Sequence, residues 1–415
     1  MTADAPRGLP SRVGVILSLD TLDVMGGVQR VVGLLAPALA AADVPVGVVA
    51  LRRERDRPVP TLQPDDGIAR VALETEPATM PYSPLPLNRA LRLLARGNVD
   101  AVRTFRAGVR ELRRILSRLD DPVVLCMQLQ SAEYWIAAGL PPERLVVQWH
   151  GSFEQAQNFR ELARIRWVSR RAAATLALNA GDAGRFTAAG VRTTGWIRNP
   201  VDVGALSHPE AEKHPRDRRI VAAGRFVEEK GYDLLLQAWS RIADRHADWE
   251  LVIHGEGPLR DTLVRLVDDA RAAGVQVRLC PPTDDLPALL RRSSVHVLPS
   301  RVEGMGLVLA EAMCCGTPNI AFDCSAGVHE LLADGAGVLV PPKDVASLAE
   351  ALSALIDDPS RRDAVATAGR TRIGEFGLER ATRSWLEIID QIAGTTFGRR
   401  SGTDSSRRTA SSAAT

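Results

Sequence analysis

Two carboxylates, Glu303 and Glu311, stand eight positions apart, one in and one after the run Pro299-Ser300-Arg301-Val302-Glu303-Gly304-Met305-Gly306-Leu307. Gly304 and Gly306 leave backbone N–H groups uncovered where a helix begins. Such a start carries partial positive charge and free donors, a ready phosphate site. Glu303 lies just before that helix and Glu311 within it, so the two carboxylates can meet different parts of one polyhydroxylated ligand. Carboxylates suit vicinal hydroxyls because each accepts hydrogen bonds from two of them. A Glu pair at this spacing is ordinarily a solvated helix face; the flanking glycines and the apolar run before them favour a site.

Upstream, Gly224-Arg225-Phe226-Val227-Glu228-Glu229-Lys230-Gly231 follows an apolar run and precedes a helical pattern. Open α/β sheets bind ligands there, at the carboxyl ends of their strands. Two cations at such a place suit a diphosphate: Arg225 offers a planar fork to phosphate oxygens, Lys230 a mobile point charge. Met25-Gly26-Gly27-Val28 and His254-Gly255-Glu256-Gly257-Pro258 are two further glycine turns at strand ends, the second of which, taken alone, is only a turn. His150, in Gln148-Trp149-His150-Gly151, also follows a strand. Judged alone it reads as structural, as Lys230 alone reads as an exposed loop lysine.

The elements that must position these groups alternate strand and helix. In the first half, an apolar run at 13–17, the glycine turn, a helical pattern at 29–42 and a second run at 44–51 make a βαβ unit, hence a parallel sheet with right-handed crossovers. Short strands at 123–126, 145–148 and 176–178 extend it. In the second half, strands at 220–223, 251–254, 277–279, 295–298 and 318–322 alternate with helices at 232–246 and 259–273. Each strand is short and apolar throughout, as expected for parallel sheets covered on both faces.

At 415 residues the chain exceeds one ordinary core. The expected division is a flexible N-terminus at 1–10, a first Rossmann-like domain at 11–206 and a linker at 207–218, where His208-Pro209 and His214-Pro215 break the pattern. A second Rossmann-like domain at 219–377 follows, then a helix at 378–397 able to cross back to the first domain, and a disordered Ser/Thr/Arg/Ala tail at 398–415.

Hydrophobic content of 45% with 25% charged residues is that of a globular protein. Fifty-two basic residues against 50 acidic ones leave a net charge of +2, so no global charge invites nucleic acid, and none is expected as a partner. Five cysteines without a C-x-x-C pair suit reduced thiols in the cytoplasm. No secretory signal and no spanning helix is expected. The segment 88–119 carries nine arginines against Asp100 and Glu111, interleaved with apolar residues. Its apolar face suits either a core or an anionic membrane surface, and the second option would place the protein peripherally at the inner face of the cell membrane.

The chain resembles the retaining GT-B glycosyltransferases of family 4. The resemblance rests on the E-x7-E spacing of Glu303 and Glu311, Gly-Arg-x(4)-Lys-Gly at 224–231, Gly-x-Gly-Pro at 255–258 and Gly-Thr-Pro at 316–318. It implies two Rossmann-like domains with parallel sheets facing across a cleft, and transfer of a sugar from a nucleotide sugar to a hydroxyl acceptor. UDP is the expected nucleotide with GDP the chief alternative, in cell-envelope, exopolysaccharide or glycolipid assembly; the family uses lipids, polysaccharides and small metabolites as acceptors, and the Arg-rich segment at 88–119 tilts the expectation toward a lipid-linked one. By the same resemblance Arg225 and Lys230 contact the diphosphate, Glu303 the donor sugar, Glu311 the ribose, and His150 positions charge near the reacting sugar. Gly26, Gly27, Gly224, Gly255, Gly304, Met305, Gly306 and Leu307 line the donor. Asp323-Cys324-Ser325-Ala326-Gly327-Val328-His329-Glu330 departs from the family's stretch by losing both prolines, so donor preference does not carry over. No Asp-x-Asp triad occurs; neither metal nor cofactor is expected, basic residues and a helix dipole taking the cation's place on the diphosphate. Two rival expectations are a non-catalytic sugar-nucleotide-binding subunit of a polysaccharide-assembly complex and a GT-B epimerase or phosphorylase.

Overall fold

The computed structural model describes residues 9–10, 12–22, 26–52, 66–73, 99–159, 161–207 and 216–394. Most of the expected N-terminus at 1–10, Met25, the 88–98 part of the Arg-rich segment, most of the 207–218 linker and the tail at 398–415 lie outside the described residues.

Two all-parallel sheets organise the chain. The first contains β1 (Val15–Thr21), β2 (Val46–Arg52), β3 (Ala69–Ala72), β4 (Val123–Cys126), β5 (Leu145–Gln148), β6 (Ala174–Ala177) and β7 (Gly195–Trp196), in the order β3-β2-β1-β4-β5-β6-β7. The second contains β8 (Asp217–Ala223), β9 (Glu250–His254), β10 (Val277–Cys280), β11 (Ser293–Leu298), β12 (Asn319–Phe322) and β13 (Val338–Val340), in the order β10-β9-β8-β11-β12-β13. Every residue of β4, β5, β6, β11 and β12 is buried, because helices cover both faces. In each sheet the winding reverses once, between β1 and β4 and between β8 and β11. That reversal opens a crevice at the carboxyl ends of the strands.

Three strands escape the sequence reading: β3, β7 and β13. All three are sheet edges, where one side lacks a neighbour and no long apolar run is needed. The helix expected at 232–246 ends at Ser240 and resumes as a 3-10 turn over Ala243–His246. There Arg241 N–H and Ile242 N–H bond the carbonyls of Ala238 and Trp239, three residues back, which tightens the winding.

The helix Val99–Leu116 settles which surface its apolar face covers. Phe105, Val109, Leu112 and Ile115 are buried in a first-domain core with Tyr134 and Trp135. Arg106, Arg110, Arg114 and Arg118 are exposed on the other side. Membrane contact by the apolar face is thereby replaced by core packing, and only the arginine face stays available.

Chain crossings between the two halves lie side by side. Val201 N–H donates to Phe376 O at 3.1 Å and Leu378 N–H to Val201 O at 3.0 Å. The helix Leu378–Ala393 then packs on the helix Gly27–Ala41, burying Trp385 and Ile389 with Val32, Leu35 and Leu39. The first-domain core is therefore completed by the end of the described chain. Val201 joins the second-domain core, with Val203 and Leu206 packed against it, ahead of the 207–218 segment.

Candidate active site

Loops after β1, β5, β8, β9 and β11 converge on a cleft of about 860 Å³ between the two halves. Gly26, Gly27, His150, Gly224, Arg225, Lys230, Gly255, Glu303, Gly304, Met305, Gly306 and Leu307 all line it. Glu311 stands apart from this lining, half a helix further in, where the first-domain Arg30 holds its Oε1. Residues 26 to 311 are brought together because both switch points face the same gap.

Two helix starts point into this cleft from opposite sides. The helix Gly27–Ala41 follows Gly26, and the helix Leu307–Cys314 follows Gly306; neither has a side-chain cap nor an acidic residue in its first turn. Their first backbone N–H groups have no intrahelical partner. Both ends therefore present free donors and the positive pole of the helix to the same space. Gly306 has φ +75°, a left-handed conformation that a side chain rarely adopts, and it turns the chain into its helix. Gly304 is required for a different reason. A Cβ there would lie 2.3 Å from the His150 carbonyl oxygen, so the two domains meet backbone to backbone at the centre of the site.

The second-domain side is braced by its own side chains. Lys230 Nζ donates to Glu303 Oε1, which also accepts from Ser300 Oγ at 2.9 Å. Arg301 grips Asp233 with two bonds, of 2.8 and 2.7 Å, and donates to Glu228 O at 2.8 Å. That fork holds the Asp233 carboxyl below the usual range and ties the 224–231 loop to the 299–303 loop. Arg225, by contrast, is exposed and has no partner among the described residues. It is the cation whose bonds remain to be made.

His150 is positioned by Asn199, whose Oδ1 lies 2.9 Å from Nδ1. Oδ1 only accepts, which assigns the proton to Nδ1, while Nε2 lies 3.4 Å from Met127 Sδ. Burial holds the ring down at about 4 against the opposing Asn199 bond, so it is neutral near pH 7. A neutral imidazole here carries no fixed charge.

Asp20, at the end of β1, accepts from Ser131 N–H at 2.9 Å, and its own N–H donates to Gln128 Oε1 at 2.8 Å. Burial raises its carboxyl to about 7, with the Ser131 bond and the Arg164 and Arg52 charges opposing. It does not line this cleft. A second interdomain cavity, about 750 Å³, contains Arg185 and Arg301. Both are already held by carboxylates, Glu154 and Asp233. The first cleft alone combines an unpaired arginine with two open helix starts, and that decides between them.

The stretch 323–330 lies beneath Gly304. Ser325 Oγ caps the helix Ala326–Leu332 and reaches Gly304 O at 3.4 Å, while a Cβ on Gly327 would stand 2.0 Å from that same oxygen. Glu330 crosses to Arg198 of the first domain. Sequence reasoning missed Arg30, Asn199, Arg301 and Asp233. Arg30 sits one turn beyond the noticed glycines, on the helix they begin. Asn199 lies 49 residues from His150, with no local pattern to mark it.

The fold and cleft together are those of the GT-B architecture, two parallel-sheet α/β units facing each other. The structure of Anabaena Alr3699/HepE in complex with UDP and glucose has a TM-score of 0.70 at 17% identity, over 91% of this chain and 99% of that one. Residues 206–372 match the family described as Glycosyl transferases group 1. An uncharacterized glycosyltransferase of Haemophilus influenzae is 31% identical over 176 residues, 42% of this chain and 49% of that protein. The GDP-mannose-dependent alpha-(1-6)-phosphatidylinositol monomannoside mannosyltransferase of Mycolicibacterium smegmatis is 34% identical over 178 residues, 39% of this chain and 46% of that enzyme. The chain spans about half the length of these curated relatives.

Proposed function

We propose that the protein is a retaining family-4 glycosyltransferase that moves a sugar from a nucleotide sugar, UDP-linked, to a hydroxyl acceptor in cell-envelope, exopolysaccharide or glycolipid assembly. The observation that carries this is one cleft facing an unpaired Arg225, the Lys230–Glu303 pair and two uncapped helix starts from opposite domains. Negative charge develops on the departing diphosphate as its bond to the sugar breaks. Arg225, Lys230 and the helix N–H groups are aimed at that charge before it forms, which is the most effective form of electrostatic stabilisation. These donors do the work a divalent cation would do on the diphosphate.

Glu303, held by Lys230 and Ser300, is oriented to accept from sugar hydroxyls. Neutral His150 completes the sugar pocket from the first domain. The acceptor hydroxyl attacks on the face that the leaving phosphate vacates, and its proton passes to a phosphate oxygen. Retention of configuration follows from that geometry, a route supported by the family resemblance. The Haemophilus and Mycolicibacterium similarities support a transferase; the Mycolicibacterium relative's name supports a lipid-linked acceptor for this chain too. The protein works in the cytoplasm, peripheral to the inner face of the membrane. Its attachment is electrostatic, through the arginine face of Val99–Leu116, and is lost as salt rises. Anionic liposomes at low salt test that part: co-sedimentation is expected, and its absence removes the membrane from the account.

Arg225→Ala and Lys230→Ala test the reaction itself. Each is expected to lower turnover by about a hundredfold or more, the usual loss for one preorganised donor, with the melting temperature little changed. Near-normal turnover in both sinks the assignment.

A further inference from the structure

The Arg30–Glu311 contact joins residues 281 apart in sequence and from opposite domains. Arg30 stands on the helix whose start faces the cleft, itself lines the cleft, and keeps 34% of its side chain exposed. Glu311 is only 14% exposed. Arg30 satisfies Oε1, whereas Oε2 is buried and has no hydrogen-bond partner. A buried carboxylate oxygen left unbonded is costly, because it has given up water and received nothing in exchange. The site is therefore half-made: a carboxylate with one oxygen held by a movable cation and the other sealed and waiting for a donor.

We propose that Arg30 is a donor-positioning residue that exchanges partners: it holds Glu311 in the empty protein and moves onto the diphosphate when a ribose takes the carboxylate. This rests on the reading of the cleft as a nucleotide-sugar site. Two vicinal ribose hydroxyls would satisfy both Glu311 oxygens, which a single guanidinium edge does not. They reach Oε2 only after Arg30 has moved off. Arg30 loses a carboxylate in that step, and the strongest anion within the same cleft is the diphosphate beside Arg225 and the helix starts. Arg30 then adds a first-domain cation to the leaving group. A nucleoside without phosphate must break the ion pair and offers Arg30 nothing in return; a nucleoside diphosphate compensates it.

The consequence is a change of opposite sign for two related ligands. Uridine and UDP, with guanosine and GDP alongside, would be titrated calorimetrically into wild type and Arg30→Ala at pH 8. Arg30→Ala is expected to weaken the diphosphate by about tenfold, one charge-assisted hydrogen bond, and to tighten the matching nucleoside severalfold. Arg30→Lys, which keeps a cation, is expected to retain most of the diphosphate affinity. A nucleoside affinity unchanged or lowered in Arg30→Ala overturns the proposal and makes the pair a fixed interdomain clamp. Failure of every nucleotide to bind wild type would instead overturn the cleft assignment, and this inference with it.

Discussion

The two edges of the cleft are built in different ways. The second-domain edge comes from short segments at 223–230, 254–257, 282–286 and 303–308, in which Lys230 is bonded to Glu303 and the flanking Arg301 to Asp233 while Arg225 is left exposed. The first-domain edge takes single residues from separate places: Gly26 and Arg30 at a helix start, His150 after β5, Asn199 after β7. One edge is a preformed binding surface made of contiguous motifs. The other is complete only when the whole fold brings it together, and it touches the first through Gly304–His150 and Arg30–Glu311. The family match likewise covers 206–372, the half that carries the contiguous segments.

Breaking the meeting point of the two edges should have the largest effect. Gly304→Val places side-chain atoms where the His150 carbonyl stands, 2.3 Å from a Cβ, and forces the domains apart. Displacements near an ångström between reacting groups cost about a hundredfold. Turnover with a nucleotide sugar and acceptor is expected to fall at least that far while nucleotide affinity, carried by the second edge, falls less. Equal losses in both would mean that the edges do not act separately.

Loosening the second edge alone should cost less. Arg301→Ala removes the fork on Asp233 and the bond to Glu228 O that tie two loops together. Donor KM is expected to rise about tenfold with a smaller change in kcat, since charge-assisted bonds of this kind contribute about 1.5–3 kcal/mol. Steady-state kinetics against donor concentration reads this directly, and an unchanged KM would show that the loops hold their shape without the fork.

Smaller effects distinguish the first domain through pH. Asp20 has its carboxyl raised by burial to about 7, so its contribution to stability is full below the unfolded value near 4 and is lost as pH rises through 7. Asp20→Asn keeps an oxygen for Ser131 N–H and removes the buried charge. It is expected to raise the melting temperature by about 2–4 °C at pH 8 and to leave it unchanged near pH 4. A gain of the same size at both pH values contradicts the burial argument. His150, held at about 4, gives no limb to the rate profile between pH 5 and 8. Rates for His150→Asn are expected to be lower at every pH in that window with the same profile shape.

This contrast also explains what the sequence disclosed. Glu303, Arg225 and Lys230 were legible because strand, turn and helix signals surround each within a dozen residues. The central strands were legible for the same reason, being short apolar runs buried on both faces. Arg30 was not, because its partner Glu311 is supplied by the other domain. Edge strands β3, β7 and β13 gave little to read, β3 being interrupted by Arg70 and β7 and β13 spanning two and three residues, and the arginine-rich helix had two physically acceptable faces until Phe105, Val109, Leu112 and Ile115 were seen in the core.

The most direct test of the central claim is to incubate the purified protein, without acceptor, with UDP-, GDP- and ADP-sugars and to follow free sugar and nucleoside diphosphate. A glycosyltransferase site is expected to release both slowly from one preferred donor, water replacing the acceptor, and Lys230→Ala to abolish the release. Tight nucleotide-sugar binding with no release, or interconversion of one nucleotide sugar into another, would contradict it.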